Sequence, residues 1–383
     1  MPGLYIHIPF CRKACHYCNF HFSTSLKYKS EMLEAIAKEA VLRRAYLPDE
    51  PLGSVYLGGG TPSLLNAEEL AQLFEVLHQH YTIAKGAEIT LEANPDDLTE
   101  EQLKNLAASP VNRLSIGIQS FFDADLTFMN RAHNASEARR CIDRAHHHGF
   151  TNLTIDLIYG SPSTSNANWQ KNMDIAFSYA VPHLSCYCLT VEPKTALDHF
   201  VRSGRAAPVD EEQAAQQFEM LVQRAQQEGY EHYEISNFAR PGHYARHNTN
   251  YWKGEAYLGL GPSAHSFNGQ SRQWNIANNA HYRRCLDQSD SPQQLAASGL
   301  YEIEALTMNE RYNEYIMTGL RTIWGCDLTK IQQMGDQYQQ HFLEKGQVWI
   351  DKGHLQQTHN QYFLSNTGKL LADRIAMELF VSD

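Results

Sequence analysis

Along the first half of the chain, short apolar runs alternate with longer stretches of helical period. The runs at 4–8 (LYIHI), 54–57 (SVYL), 88–92 (EITLE), 113–118 (RLSIGI), 152–158 (NLTIDLI) and 183–189 (HLSCYCL) are rich in β-branched and aromatic residues and predict six strands. Between them, apolar positions recur every three or four residues over 27–45, 66–80, 99–108, 135–148 and 167–178, which predicts amphipathic helices. Asn66 ahead of Glu68 and Glu69, and Ser136 ahead of Glu137, mark two helix starts. Six strand–helix units in succession imply an α/β protein with a parallel sheet, either open and doubly wound or curved into a partial barrel.

The second half has a different pattern. Residues 210–229 predict an acidic, Gln-rich helix, 231–238 a strand, and 239–252 a loop. The Gly-rich apolar stretch 256–267 predicts a packing loop against the barrel mouth. It brings Ser263 and His265 close in sequence, but without the nucleophile elbow a hydrolase needs. Helical stretches from Asn309, Asp327 and Gly368 flank 346–365 (GQVWIDKGHLQQTHNQYFLS), which reads as a hairpin. This predicts a small α+β, winged-helix-like unit that covers the barrel or presents a ligand to partners. The expected division is 1–205 for the barrel, 206–298 for an α+β extension, and 299–383 for the C-terminal unit.

Composition narrows the class. With 383 residues, 43% of them hydrophobic, the chain can bury a large core. No stretch reaches the roughly 20 apolar residues of a membrane-spanning helix. The start, MPGLYIHIPF, has neither the basic nor the long apolar segment of a secretory signal. Eight cysteines are too sparse for a disulfide scaffold, so a reducing, cytoplasmic location is expected. Five of them, Cys141, Cys186, Cys188, Cys285 and Cys326, are scattered and read as small buried hydrophobes. The net charge of −11 and the lack of a basic stripe argue against a nucleic-acid partner.

The chemistry concentrates where strands end. The first leads into Cys11, Cys15 and Cys18, the second into 58–62 (GGGTP), the third into 92–95 (EANP), and the fourth into 119–121 (QSF). The fifth contains Asp156 and continues into 159–162 (YGSP). Ligands of parallel α/β folds bind at the carboxyl ends of strands, so one site fed by five loops is expected. The glycine loop is no phosphate loop, since no Gly-Lys-Ser/Thr follows it. Three thiolates within eight residues suit two metal centres. A closed zinc site would have to recruit His7, His16 or His21 as its fourth ligand. A [4Fe–4S] cluster ordinarily takes four thiolates, and three would leave one iron open to a small molecule.

The C-x3-C-x2-C spacing, with aromatic Tyr17 before the last cysteine, resembles the signature of the radical S-adenosylmethionine (SAM) family. The resemblance implies a partial (β/α)6 barrel with a [4Fe–4S] cluster on Cys11, Cys15 and Cys18. The open iron chelates SAM, which the reduced cluster cleaves to a 5′-deoxyadenosyl radical. It also implies SAM contacts from Tyr5, Tyr17, Gly59, Gly60 and Thr61, and polar contacts from Glu92, Gln119, Arg131 and Asp156. Among these, Tyr5 would meet the methionine part, Arg131 a carboxylate and Asp156 the ribose hydroxyls; Thr190 matches a further contact by spacing.

YIHIPFC, GGGTPS, the Gln119-x11-Arg131 spacing and DLIYGSP resemble the oxygen-independent coproporphyrinogen III oxidase group, in which two SAM molecules bind. Two departures count against oxidative decarboxylation. Phe20 stands where the oxidases carry a further cysteine, and the first strand begins at residue 4 without their N-terminal extension. The stretch RHNTNYW (246–252) is similar to the H-N-x-x-Y-W motif of the HemW-type heme chaperones. That resemblance implies a protein that binds heme and transfers it to acceptor proteins. His247 is its candidate iron ligand, Asn248 orients the imidazole, and neighbouring aromatics cover the porphyrin. The alternatives are the oxidase itself or another radical SAM enzyme, a methyltransferase or RNA modifier. The implied partners are heme and heme-accepting proteins, respiratory enzymes among them, and a homodimer is compatible. The location would be cytoplasmic, or peripheral to the inner membrane through partners.

Overall fold

The computed structural model describes residues 1–382. Strands β1 (Gly3–Ile8), β2 (Leu52–Gly59), β3 (Ile83–Ala93), β4 (Arg113–Gln119), β5 (Leu153–Tyr159) and β6 (His183–Cys188) lie side by side in chain order, each parallel to the next. All six fall on the expected runs. Right-handed crossovers through an order that never reverses put every connecting helix on one face of the sheet. The other face turns inward, and the result is a partial barrel; a doubly wound sheet needs the order to reverse.

Alternation along each strand separates the two faces. Leu4, Ile6, Ile8, Val55, Leu57, Leu91, Leu114, Ile116 and Ile155 are buried in the layer between sheet and helices. Full burial of such a side chain contributes about 2 kcal/mol. Their inward neighbours are polar: Tyr5, His7, Tyr56, Glu92, Ser115 and Asp156.

The sheet continues past the barrel on both sides. β7 (Glu231–Glu234) and β8 (Asn237–Ala239) form a hairpin, and β8 pairs antiparallel with β6. At the other side β9 (Tyr257–Leu260) pairs parallel with β1 and is followed by antiparallel β10 (His265–Phe267), β11 (Ser271–Asn275) and β12 (Tyr301–Ala305). The twelve strands make one sheet, and the expected boundary between residues 298 and 299 falls within it.

Several local expectations differ from the structure. The run 231–238 is a hairpin rather than one strand, because the chain turns at Ile235 and Ser236. The stretch 256–267 is not a loop but forms β9 and β10, with Gly259 so close to the His265 carbonyl that no Cβ would fit. Residues 246–252 are helical; the Glu88 carboxylate accepts the backbone N–H groups of Arg246 at 2.9 Å and His247 at 3.0 Å, which satisfies the open helix start. Asn66 caps its helix as expected, in a capping box with Glu69. The helix Ala135–His147 starts at Asn134 rather than Ser136, because Asn134 accepts the Glu137 N–H at 3.0 Å and donates its own to Glu137 at 2.9 Å.

In the C-terminal part, 346–351 ends the helix Asp336–Asp351 rather than opening a hairpin. Its buried residues Tyr338, Phe342, Gly346 and Trp349 recur at helical spacing, which overrides the β-prone VWI. The short β13 (Cys326–Asp327) joins a hairpin confined to β14 (Leu355–Thr358) and β15 (Gln361–Leu364). Around this sheet the helices Met308–Leu320, Asp336–Asp351 and Ala372–Leu379 bury a separate apolar cluster that includes Tyr312, Ile316, Phe342 and Leu379. Among the described residues, no helix is long and apolar enough to cross a membrane.

Candidate functional site

The carboxyl ends of the barrel strands open on a cavity of about 470 Å³. The loop after β1 carries Cys11, Cys15 and Cys18 into its wall, all three half-buried and unbridged. Each sulfur meets a donor. Thr61 Oγ1 donates to Cys11 Sγ at 3.3 Å, and Arg131 Nη1 to Cys15 Sγ at 3.3 Å. The backbone of Phe20 stabilises the Cys18 thiolate, although burial still pushes that thiol up. Burial likewise pushes the Cys11 thiol up to about 11, against the Thr61 hydrogen bond. Thiols so held ionise when an iron centre takes the place of the proton.

Opposite the cysteines, β2 ends in the glycine loop. Gly59 has φ +101°, a left-handed conformation that glycine tolerates, and a Cβ on it would run into the His7 imidazole. A Cβ on Gly60 would lie 2.6 Å from the carbonyl oxygens of Ile8 and Phe10. Both glycines are therefore required by the protein's own packing. From β3, Glu92 secures the loop: Oε2 accepts the Gly59 N–H at 3.1 Å and Oε1 accepts the Tyr56 hydroxyl at 2.7 Å.

Arg131 enters from the segment after β4. Nη2 donates to Asn94 Oδ1 at 2.6 Å and to the Gly117 carbonyl at 3.0 Å, Nη1 reaches Tyr17 Oη at 3.4 Å, and Nε is buried without a partner. Gln119, buried at the end of β4, is held at φ 63°, a strained setting of the kind that gathers at functional sites. Asp156 on β5 accepts the Ser115 hydroxyl at 3.2 Å. Burial, and then the Glu92 carboxylate, push its carboxyl up to about 7. Burial also pushes Glu92 up, against the hydrogen bonds from Tyr56 and Gly59.

These shifts test the fit of the implied cofactors. Glu92, Asp156 and the Cys11 and Cys18 thiols face one cavity and are each raised by burial, so the cavity favours an occupant that brings positive charge. An iron–sulfur cluster that consumes the thiol protons, with a sulfonium ligand bearing an ammonium group beside it, suits that donor set. The unpartnered Arg131 Nε is a buried donor left for an anionic group.

The structure brings most of the expected residues together. Tyr17, Gly59, Gly60, Thr61, Glu92, Gln119, Arg131 and Asp156 line the cavity with the three cysteines, and Thr190 lies in the same wall. Tyr5 does not; it is level with Tyr56, below the glycine loop, with its hydroxyl on His7 Nδ1 at 3.1 Å. His247 lies at the amino-terminal end of the barrel, next to Gly3 and Ser54. Its Nδ1 is paired with Ser54 Oγ at 3.0 Å and not with Asn248, because consecutive residues on a helix face different directions. Tyr251 packs against Trp252 and Tyr257, while the rings beside His247 are Tyr56 and Tyr5. Cys188, expected to be buried, is exposed in the cavity wall, and Phe20 is 67% exposed at the same cavity. Tyr56, Ser115 and Tyr187 were not anticipated. Their signal was a polar side chain at alternate positions of otherwise apolar strands, in SVYL, RLSIGI and HLSCYCL.

Comparison with known proteins gives this arrangement a family. The radical SAM superfamily matches residues 5–175. The heme chaperone HemW of Bacillus subtilis is 32% identical over 378 residues, covering 98% of both chains. That of Mycobacterium tuberculosis is 32% identical over 381 residues, covering 98% of this chain and 94% of the other. The chain belongs to the HemW family of radical SAM proteins. The fold of this chain is that of the coproporphyrinogen III oxidase HemN from Escherichia coli, a radical SAM enzyme, with a TM-score of 0.84 at 23% identity over 99% of this chain and 90% of that one. Membership in the superfamily implies a [4Fe–4S] cluster and SAM as cofactors.

Proposed function

We propose that the protein is a heme chaperone that carries a [4Fe–4S] cluster on Cys11, Cys15 and Cys18, binds SAM in the adjoining cavity, and transfers heme to acceptor proteins. The observation that carries the cofactor assignment is the convergence of three cysteines, a glycine loop and two raised carboxyls on one cavity. When bound, the cluster and SAM together supply one-electron chemistry. The protein's own residues bind and orient. Arg131 offers a carboxylate its free Nε, Asp156 accepts from hydroxyls, and Glu92 fixes the Gly59 backbone.

The heme assignment is supported by full-length similarity to HemW chaperones together with the H-N-x-x-Y-W motif. His247 stays the proposed iron ligand through Nε2, since Nδ1 is held by Ser54. We take the acceptors to include respiratory enzymes, and the chain to be cytoplasmic, meeting the inner membrane through them. The oxidase reading draws no support from likeness to HemN at 23% identity, and Phe20 still stands against it.

Anaerobically reconstituted protein tests this in two assays on one sample: heme titration with a His247→Ala control, and incubation with coproporphyrinogen III, SAM and a reductant. Stoichiometric heme binding, weakened by the substitution, without porphyrinogen turnover is the expected result. Turnover to protoporphyrinogen with weak heme binding would overturn it. Unimpaired heme handoff after replacing all three cysteines would remove the cluster from the transfer function.

A further inference from the structure

His247 is remote from the cysteines, yet only two residues separate its ring from Gly59 in the glycine loop. It lies against Tyr56 with ring centroids 5.1 Å apart at 29°, and Tyr56 stacks on Tyr5 at 6.1 Å. Gly3 makes room for the imidazole, since a Cβ there would lie 3.2 Å from His247 Nδ1. The three rings contact one another beside the helix Arg246–Trp252, whose start Glu88 holds from β3.

Tyr56 and Tyr5 each carry this support upward. The Tyr56 hydroxyl donates to Glu92 Oε1 at 2.7 Å, and the other oxygen of that carboxylate accepts the Gly59 N–H at 3.1 Å. The Tyr5 hydroxyl bonds His7 Nδ1 at 3.1 Å, and the His7 imidazole fills the space behind Gly59. Both routes end at the same backbone. Side chains that lock a carboxylate rotamer and a loop backbone act by pre-organisation, and their loss is felt at the ligand rather than locally.

We propose that His247 is a positioning residue of the SAM site, its ring holding Tyr56 and Tyr5 so that Glu92 and His7 fix the Gly59 backbone. The proposal rests on the reading that SAM binds in this cavity. It also bears on heme: weaker heme binding after replacing His247 does not by itself identify an iron ligand, because the same change disturbs the SAM site.

The test is SAM affinity in the reconstituted protein, read from the change SAM causes in the electron paramagnetic resonance signal of the reduced cluster, with iron content and melting temperature as controls. His247→Ala and Tyr56→Phe are expected to weaken SAM binding about five- to tenfold, the worth of one lost hydrogen bond, at unchanged iron content. His247→Phe keeps a ring without the nitrogens and is expected to stay within about twofold of the parent, well below one hydrogen bond. Wild-type affinity in His247→Ala would overturn the proposal, and so would a His247→Phe variant as weak as His247→Ala. Tyr56→Phe removes a single atom, so its unchanged affinity would overturn the proposal even where His247→Ala fails to fold. A parent protein whose cluster signal ignores SAM would overturn the SAM reading itself, and this proposal with it.

Discussion

Arg131 holds its guanidinium against Cys15, with Nη1 3.3 Å from the sulfur while Nη2 is fixed by Asn94 at 2.6 Å. The arginine therefore serves the cluster loop and the cavity at once. A fixed cation beside a cluster thiolate stabilises the added electron of the reduced state and so raises the potential. Arg131→Met is expected to shift the cluster potential to more negative values, measured by redox titration of the reconstituted protein. Arg131→Lys keeps the charge but loses the planar fork, and is expected to weaken SAM binding by roughly tenfold or more with iron content retained. An unchanged potential in Arg131→Met would mean that the contact with Cys15 is absent once the cluster is in place.

Asp156 gives the site a pH dependence with a definite sign. Its carboxyl, raised to about 7 by burial and by Glu92, loses its charge as pH falls through that value. SAM affinity should therefore fall between pH 8 and pH 6, with a limiting slope of about tenfold per unit for one proton. Because the folded-state value lies above the ordinary one, ionisation costs the cofactor-free protein stability as pH rises from about 4 to about 7. Asp156→Asn should flatten the SAM profile and raise the melting temperature of the cofactor-free protein at pH 8. A profile as steep in Asp156→Asn as in the parent would assign the titration to another group.

The barrel could be read from the chain because its strands obey one strong rule: apolar side chains face the helices at every second position, as Leu4, Ile6 and Ile8 do. The inward face carries no such rule, which is why Tyr56 escaped notice although it stands between two recognised features, the motif histidine and Glu92. The cysteines and the glycine loop were visible because their spacing is local. That His247 would lie under Tyr56 depends on a helix returning to β2 after most of the barrel has been built, and no local pattern encodes that. The same limit explains 231–238 and 346–351, where tertiary packing chose a turn and a helix over the β-prone local sequence.

Asn134 and Ser136 offer a compact stability test. Asn134 both accepts from and donates to Glu137, whereas Ser136 sits inside the first turn. Asn134→Ala should cost about 1 kcal/mol and Ser136→Ala only a few tenths, measured by urea denaturation. Equal costs would mean that the helix frays back to Ser136 in solution.

Glu39 is the buried junction between the helix Lys29–Leu42 and the strands that flank β1. Oε1 accepts from Arg43 at 2.9 Å and Asn275 at 2.8 Å, while Oε2 accepts the Gly261 N–H at 2.8 Å and the Tyr282 hydroxyl at 2.5 Å. Gly261 lies directly against the His7 backbone, at φ +98°, so this carboxylate also supports the strand that leads into the cysteines. Glu39→Ala leaves the buried Arg43 without its carboxylate and is expected to cost about 3–5 kcal/mol. Glu39→Met combined with Arg43→Met removes both charges at similar volume and should recover much of that loss, because the penalty lies in the unpaired guanidinium more than in the missing attraction. Denaturation of Glu39→Met, Arg43→Met and the double variant measures the coupling. Strictly additive losses would show that Glu39 acts through Asn275, Gly261 and Tyr282 alone, and the ion pair would then have no part in holding β9 beside β1.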